Sequence, residues 1–263
     1  MVDWLMKKTY NLKDLEDIVR LLRSPGGCPW DIEQTHASIR RNFLEEAYEA
    51  VEAIDEQNPE HLKEELGDVL LQVVFHARME QEAGRFDLDD VADAICKKLI
   101  YRHPHVFGSV SVADSDEVLT NWDALKRTEK HQETYTDTLE AVARSLPSLW
   151  RAEKVQKKAK KAGFDWDDAQ GALDKLSEEI EELKSAVAQG SNVEEELGDL
   201  LFAAVNVSRF VKVDAEDALN AATDKFIRRF SQVEKLAGDK PMTEMTLEQL
   251  DKLWDEVKRQ EHS

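Results

Sequence analysis

The sequence predicts an all-α protein made of two tandem helical repeats, each a helix-bundle half. Three observations carry this. Ten glycines, six prolines and long stretches of Ala, Leu, Glu and Lys among 263 residues favour helix. Strand-like alternation is nearly absent, and its best candidate, GSVSV at 108–112, sits in a loop between helical patterns. Matching blocks also recur in the same order about 130 residues apart, the mark of a duplication.

Each copy begins with a leading helix and a Trp-containing loop, CPWD at 28–31 and FDWD at 164–167. An acidic helix follows, LEEAYEAVEAI at 44–54 and SEEIEELKSAV at 177–187, both carrying Glu-Glu-x-x-Glu. In the first of these, Phe43, Ala47, Ala50, Val51 and Ile54 form the expected core stripe. A short turn around Gln57-Asn58-Pro59 leads to EELGDVLLQVVF at 64–75, which returns as EELGDLLFAAVN at 195–206. Further helices hold KKLIYR at 97–102 and DKFIRR at 224–229, then NWDALKRTE at 121–129 and LWDEVKRQE at 253–261. The repeats are expected at 1–131 and 132–263, with the join near residue 131. The longest loop, residues 103–116, reads as a lid or a connection.

Composition narrows the partners. Fifty-five acids against 35 bases give a formal charge of −20, which argues against nucleic acid or an anionic membrane and suits a site for cations. Cys28 and Cys96 are too few for a disulfide framework and lack zinc-site spacing. The N-terminus has no signal-peptide h-region, and no apolar run is long enough to span a bilayer, so a cytoplasmic location is expected.

The informative residues are acids on apolar helices. Along residues 64–77 apolar side chains cover most of the circumference, so the helix is expected to be buried, and Glu65, Asp68 and Gln72 share one narrow stripe with His76 at its edge. A buried carboxylate needs a proton, a counter-charge or a metal. Antiparallel packing across the short turn brings Glu46 and Glu49 opposite Glu65 and Asp68, and likewise Glu179 and Glu182 opposite Glu196 and Asp199. Four oxygen donors without His or Cys favour Mg²⁺, with Mn²⁺ as a substitute, and Mg²⁺ prefers to share its shell with phosphates. Glu45, Glu52, Glu56, Glu178 and Glu181 read instead as solvated faces.

Positive charge recurs at matching points. Lys98 and Arg102 share a helix face, as do Lys225 and Arg229; Trp122 with Lys126 and Trp254 with Lys258 add an aromatic that suits a base or ribose. Lys175 lies one turn before Glu179, where the first copy has Asn42.

Glu-Glu-x-x-Glu followed by Glu-x-x-Asp, with GGCPWD, YRHPHVF, the GFDW block and the VKRQE ending, resembles the MazG family of nucleoside triphosphate pyrophosphohydrolases in its long, two-repeat form. One departure is Tyr101, where an arginine is common. The resemblance implies an all-α fold, a homodimer, and Mg²⁺-dependent hydrolysis of NTPs and dNTPs to the monophosphate and pyrophosphate. It implies metal binding by Glu179, Glu182, Glu196 and Asp199 in the favoured C-terminal copy, and a second site at Glu46, Glu49, Glu65 and Asp68. Phosphate and nucleoside contacts map onto Lys175, Lys225, Arg229, Trp254 and Lys258.

The rival readings are a di-iron carboxylate bundle, for which Glu33 and His36 form the only plain Glu-x-x-His, and a nucleotide-sensing regulatory protein without turnover.

Overall fold

The computed structural model describes residues 7–129, 132–238 and 240–261. Helices and short connections account for these residues, with no strand among them, and residues 108–112 are irregular. The chain divides into two compact units, Met1–Leu125 and Lys126–Ser263. The expected join at residue 131 lies outside the described residues.

The first unit is organised on a helical hairpin. Helices α1 (Leu12–Leu22) and α2 (Pro29–Glu33) lead to α3 (Arg40–Asp55), which packs along α4 (Pro59–Glu82). Asn58 caps α4 by accepting from the His61 amide, Pro59 takes the first turn where no amide hydrogen is needed, and Gln57 supplies the left-handed residue (φ 54°) that reverses the chain. Helix α1 packs on α4, and the two share a core of Val19, Ile39, Val74, Phe75 and Met79, backed by Leu15, Leu71 and Leu88. Helices α5 (Leu88–Arg102) and α6 (Pro104–Phe107) follow, with α5 against α4, and α7 (Ser115–Glu129) runs across the division at residue 125.

The second unit repeats the plan. Helices α8 (Tyr135–Glu140) and α9 (Ser148–Lys161) precede the hairpin of α10 (Ala169–Gln189) and α11 (Val193–Phe210); α12 (Ala215–Ala237) and α13 (Leu247–Glu261) close it. The α10–α11 turn uses Gly190 (φ 67°) as a left-handed cap, the conformation glycine adopts without a Cβ penalty. Helix α9 packs on α11 and α12, and α12 on α13.

Two sequence expectations need correction. The predicted core stripe of α3 is displaced: Ala50 and Ala53 are buried, whereas Val51 and Ile54 are exposed. The seam toward α4 runs through small residues because these let the backbones approach, which leaves the larger apolar side chains on another face. The EELGD helices are also not buried all round. Leu66 is 53% exposed and Leu70 is exposed beside it; Leu197, Leu201 and Phe202 repeat this in the second unit. Each hairpin hides one side and presents an apolar second side.

Candidate active site

Some of the buried residues of the hairpins fall at heptad spacing. On α4 they include Glu65, Gln72 and Met79; on α10 they are Ala172, Glu179 and Ala186. Spacing by seven keeps a side chain in the seam between two packed helices. Glu65, at 8% exposure, and Glu179, at 5%, therefore sit inside the hairpins rather than on their rims.

In the first unit, carboxylate oxygens of Glu46, Glu49 and Glu65 lie within 4.8 Å of one another. Asp68 stands outside this triad but acts on it. Burial, then the charges of Asp68, Glu49 and Glu65, push the Glu46 carboxyl above its ordinary range. His61 Nε2 lies 3.2 Å from Glu65 and its Nδ1 lies 3.0 Å from Glu56, and the bond to Glu56 is the main reason its pKa is raised.

In the second unit the triad is Glu179, Glu196 and Asp199, again within 4.8 Å. Glu182 stands outside it. Desolvation, then a hydrogen bond with Glu179, pushes the Glu182 carboxyl upward against the opposing charge of Lys175. The Lys175 ammonium reaches Glu179 Oε1 at 2.8 Å and Glu178 Oε1 at 2.9 Å, and these bonds raise its pKa. Glu179 Oε2 is buried with no hydrogen-bond partner. One lysine thus faces a triad of acids, and a buried carboxylate oxygen remains unsatisfied, a costly condition that a hard cation relieves. The all-oxygen donor set fits Mg²⁺ or Mn²⁺.

Of the predicted phosphate and nucleoside contacts, Lys175 stands at the carboxylates, whereas Lys225, Arg229, Trp254 and Lys258 lie apart on α12 and α13. The Arg229 guanidinium lies 5.9 Å from the Trp254 ring and is held by Glu261 at 2.6 Å; Phe226 packs against the same tryptophan with centroids 5.2 Å apart. Lys258 pairs with Asp255 at 2.8 Å, and Lys225 is exposed. No hydrogen bond or ion pair among the described residues joins this cluster to the carboxylates. In the first unit Lys98 is exposed, Arg102 is buried, and Trp122 lies 6.2 Å from His103; Lys126, at the start of the second unit, is half-buried.

The solvated acids are where the pattern put them, with Glu45 near Arg41, Glu56 near His61, and Glu181 near Lys184. His36, the histidine of the Glu-x-x-His candidate, faces His76 Nδ1 at 2.7 Å and Glu80 at 2.7 Å instead of the carboxylate triad.

A family model described as the MazG nucleotide pyrophosphohydrolase domain matches residues 34–107 and again 168–234, which are the two hairpins with the helices that follow them. The chain belongs to the MazG family. The nucleoside triphosphate pyrophosphohydrolase of Escherichia coli K12 is 46% identical over 93% of this chain and 95% of its own length. The nucleoside triphosphate pyrophosphohydrolase/pyrophosphatase MazG of Thermotoga maritima is 44% identical over 94% and 95%. Bacillus subtilis YabN is 46% identical over 96% of this chain, which corresponds to 52% of YabN.

Sequence reasoning passed over several residues near the MazG carboxylates. His61 was visible as a base one turn before Glu65, the same offset that singled out Lys175. Arg209 and Asp165 were not, because their pairing links positions 44 residues apart: Nη1 donates to Oδ2 at 3.1 Å, Nη2 donates to Oδ1, and the same Nη2 reaches Asn206 Oδ1 at 2.7 Å. Arg209 holds the Asp165 carboxyl below its ordinary range. No described helix is long and apolar enough to cross a membrane.

Proposed function

We propose that this MazG-family nucleotide pyrophosphohydrolase is a Mg²⁺-dependent hydrolase of nucleoside triphosphates, releasing the monophosphate and pyrophosphate, with its main active site in the second hairpin. The observation that carries this reading is the buried, unpartnered Glu179 Oε2 within a triad of converging carboxylates. Glu179, Glu196 and Asp199, with Glu182 beside them, would hold the divalent cation. When bound, Mg²⁺ supplies charge neutralisation for the triphosphate and a more acidic water for attack at the α-phosphorus.

The chain's residues do the remaining work. Lys175 is paired with Glu179 and offers a cation at the edge of the triad. Glu182, its carboxyl pushed upward, is suited to accept a proton from the attacking water. Lys225, Arg229 and Lys258 neutralise charge on the departing pyrophosphate once Arg229 and Lys258 leave Glu261 and Asp255, and Trp254 packs at that end. Burial of Glu179 and Ala186 in the seam holds the acids in place before substrate arrives.

The first triad is a second candidate metal site, with Lys98, Arg102, Trp122 and Lys126 as counterparts of the second-copy bases and tryptophan. The exposed apolar faces, Tyr48, Val51 and Ile54 with Leu66 and Leu70, and Val187 with Leu197 and Leu201, are covered in the functional form by another copy of the chain. We place this homodimer in the cytoplasm. The repeats are assigned to 1–131 and 132–263. Product analysis tests the function: NTP with Mg²⁺ should give NMP and pyrophosphate in equal amounts, with chelator stopping the reaction. Nucleotide binding without pyrophosphate release would replace the hydrolase with a sensor.

A further inference from the structure

The loop at 164–168 is fixed to both helices of the second hairpin at one end of the acidic cleft. Asp165 is gripped by Arg209 of α11, whose side chain is 7% exposed, and Lys160 approaches at 3.5 Å. Asn206, which shares Arg209, lies seven residues after Asp199 and so on the same stripe of α11. On α10 the contact is with Gly171. A Cβ at that position would stand 3.0 Å from Cε3 and 3.2 Å from Cδ2 of the Trp166 ring, so the indole lies closely against the helix surface at this glycine.

Gly171, Lys175 and Glu179 follow one another at intervals of four and share one face of α10. Trp166 is therefore mounted on the stripe that leads to the buried glutamate, and Gly171, on which it lies, is two turns and about 12 Å along the helix from Glu179 at 1.5 Å per residue. Despite being anchored on two sides, the indole is 46% exposed. A rigid, half-exposed aromatic surface at that distance from a phosphate-binding cluster is of the scale spanned by a nucleoside 5′-phosphate. Trp254 is less free for such a role, since Phe226 and Arg229 already pack against its ring.

We propose that Trp166 is the platform on which the nucleobase stacks in the second active site, and that Arg209 is the positioning residue that holds it there through Asp165. This rests on the assignment of the second triad as the phosphate and metal end of the site. Stacking on an indole uses the π-face that every base has, so the site accepts all bases and favours those with larger ring area.

Steady-state kinetics of the full-length chain with Mg²⁺, on ATP, GTP, CTP and UTP and on the base-free ribose 5-triphosphate, test the assignment. Trp166→Ala should raise KM for the four nucleotides on the order of tenfold, more for purines than pyrimidines, with kcat little changed. The same variant should leave kcat/KM for ribose 5-triphosphate as in wild type, and Trp166→Phe, which keeps a ring over Gly171, should recover most nucleotide affinity. Arg209→Met should show the same KM pattern to a smaller degree. Equal losses on nucleotides and ribose 5-triphosphate would reduce Trp166 to a packing residue, and unchanged KM in Trp166→Ala would remove it from the site. Failure of the wild-type chain to release pyrophosphate from any triphosphate would instead defeat the hydrolase reading, a separate result.

Discussion

The two hairpins carry the same acids at matching sequence positions, yet each sinks a different one. In the first, Glu65 on α4 is buried while Glu46 on α3 is half-exposed; in the second, Glu179 on α10 is buried while Glu196 on α11 is half-exposed. Glu179 is the counterpart of Glu46, not of Glu65. In both copies the buried member is bonded to a base one turn before it on its own helix, His61 in one and Lys175 in the other. Counter-charge has followed burial, as expected when desolvation makes one carboxylate of a group the costliest to leave unpaired. The consequence is functional: the second cluster has a permanent positive charge beside it, and the first has a titratable one.

The largest expected effect separates the copies by activity. Glu179→Gln or Asp199→Asn should lower kcat on the order of 10³-fold with helical content unchanged by circular dichroism. Glu65→Gln and Asp68→Asn should leave most of the turnover. The reverse ranking would move the main active site to the first hairpin.

Next in size is the counter-charge. Lys175→Met leaves Glu179 buried without its partner, so the metal-free protein should lose several degrees in Tm, at about 4 °C per kcal/mol for a unit of this size, and Mg²⁺ should restore part of it. Melting curves that respond identically to Mg²⁺ with and without the lysine would show that the cation binds elsewhere.

The ion pairs that fasten segments beside the hairpins differ too, and pH sharpens that contrast. Glu80, held by Arg85 and His36, has its carboxyl drawn down to about 2, and Arg209 draws Asp165 down in the second unit. Both carboxyls are depressed relative to the unfolded chain, so their contribution is complete above the unfolded value near 4 and is lost as pH falls through the folded one. Urea midpoints measured between pH 5 and pH 2 should fall, and Arg85→Met or Arg209→Met should each flatten the decline. A decline of wild-type steepness in Arg209→Met would mean that the Asp165 clamp does not stabilise the fold.

The smallest effect belongs to His61→Ala. Its bond to Glu65 is half-exposed and shared with Glu56, so metal-free stability should change by less than in Lys175→Met, and turnover should stay near wild type. A loss as large as that of the lysine variant would erase the difference between the two clusters.

Much of this was legible in one dimension. The duplicated Glu-Glu-x-x-Glu and EELGD blocks made the helices and the turn between them legible and put four acids on facing helices, of which three converge in each copy, because i, i+3 and i+4 spacing translates directly into a helix face. The Lys175–Glu179 pair was visible for the same reason. The displaced stripe of α3 was not, because hydrophobicity alone ranks Val51 and Ile54 as core, whereas close helix approach selects Ala50 and Ala53. Nor was the role of FDWD visible: its aspartate meets an arginine 44 residues away, and its tryptophan lies on a glycine whose value is the absence of a side chain.

The amino-acid order by itself determined the all-α class, the repeat, and the placing of four acids per copy on two helices joined by a short turn, since these depend on local periodicity; which three of the four converge differs between the copies. Only the tertiary structure decided which glutamate of each group is buried, which base neutralises it, and where the Trp166 loop is fastened. Those outcomes depend on how closely two helices pack and on contacts between residues distant in the chain, and neither is encoded in the spacing of neighbours.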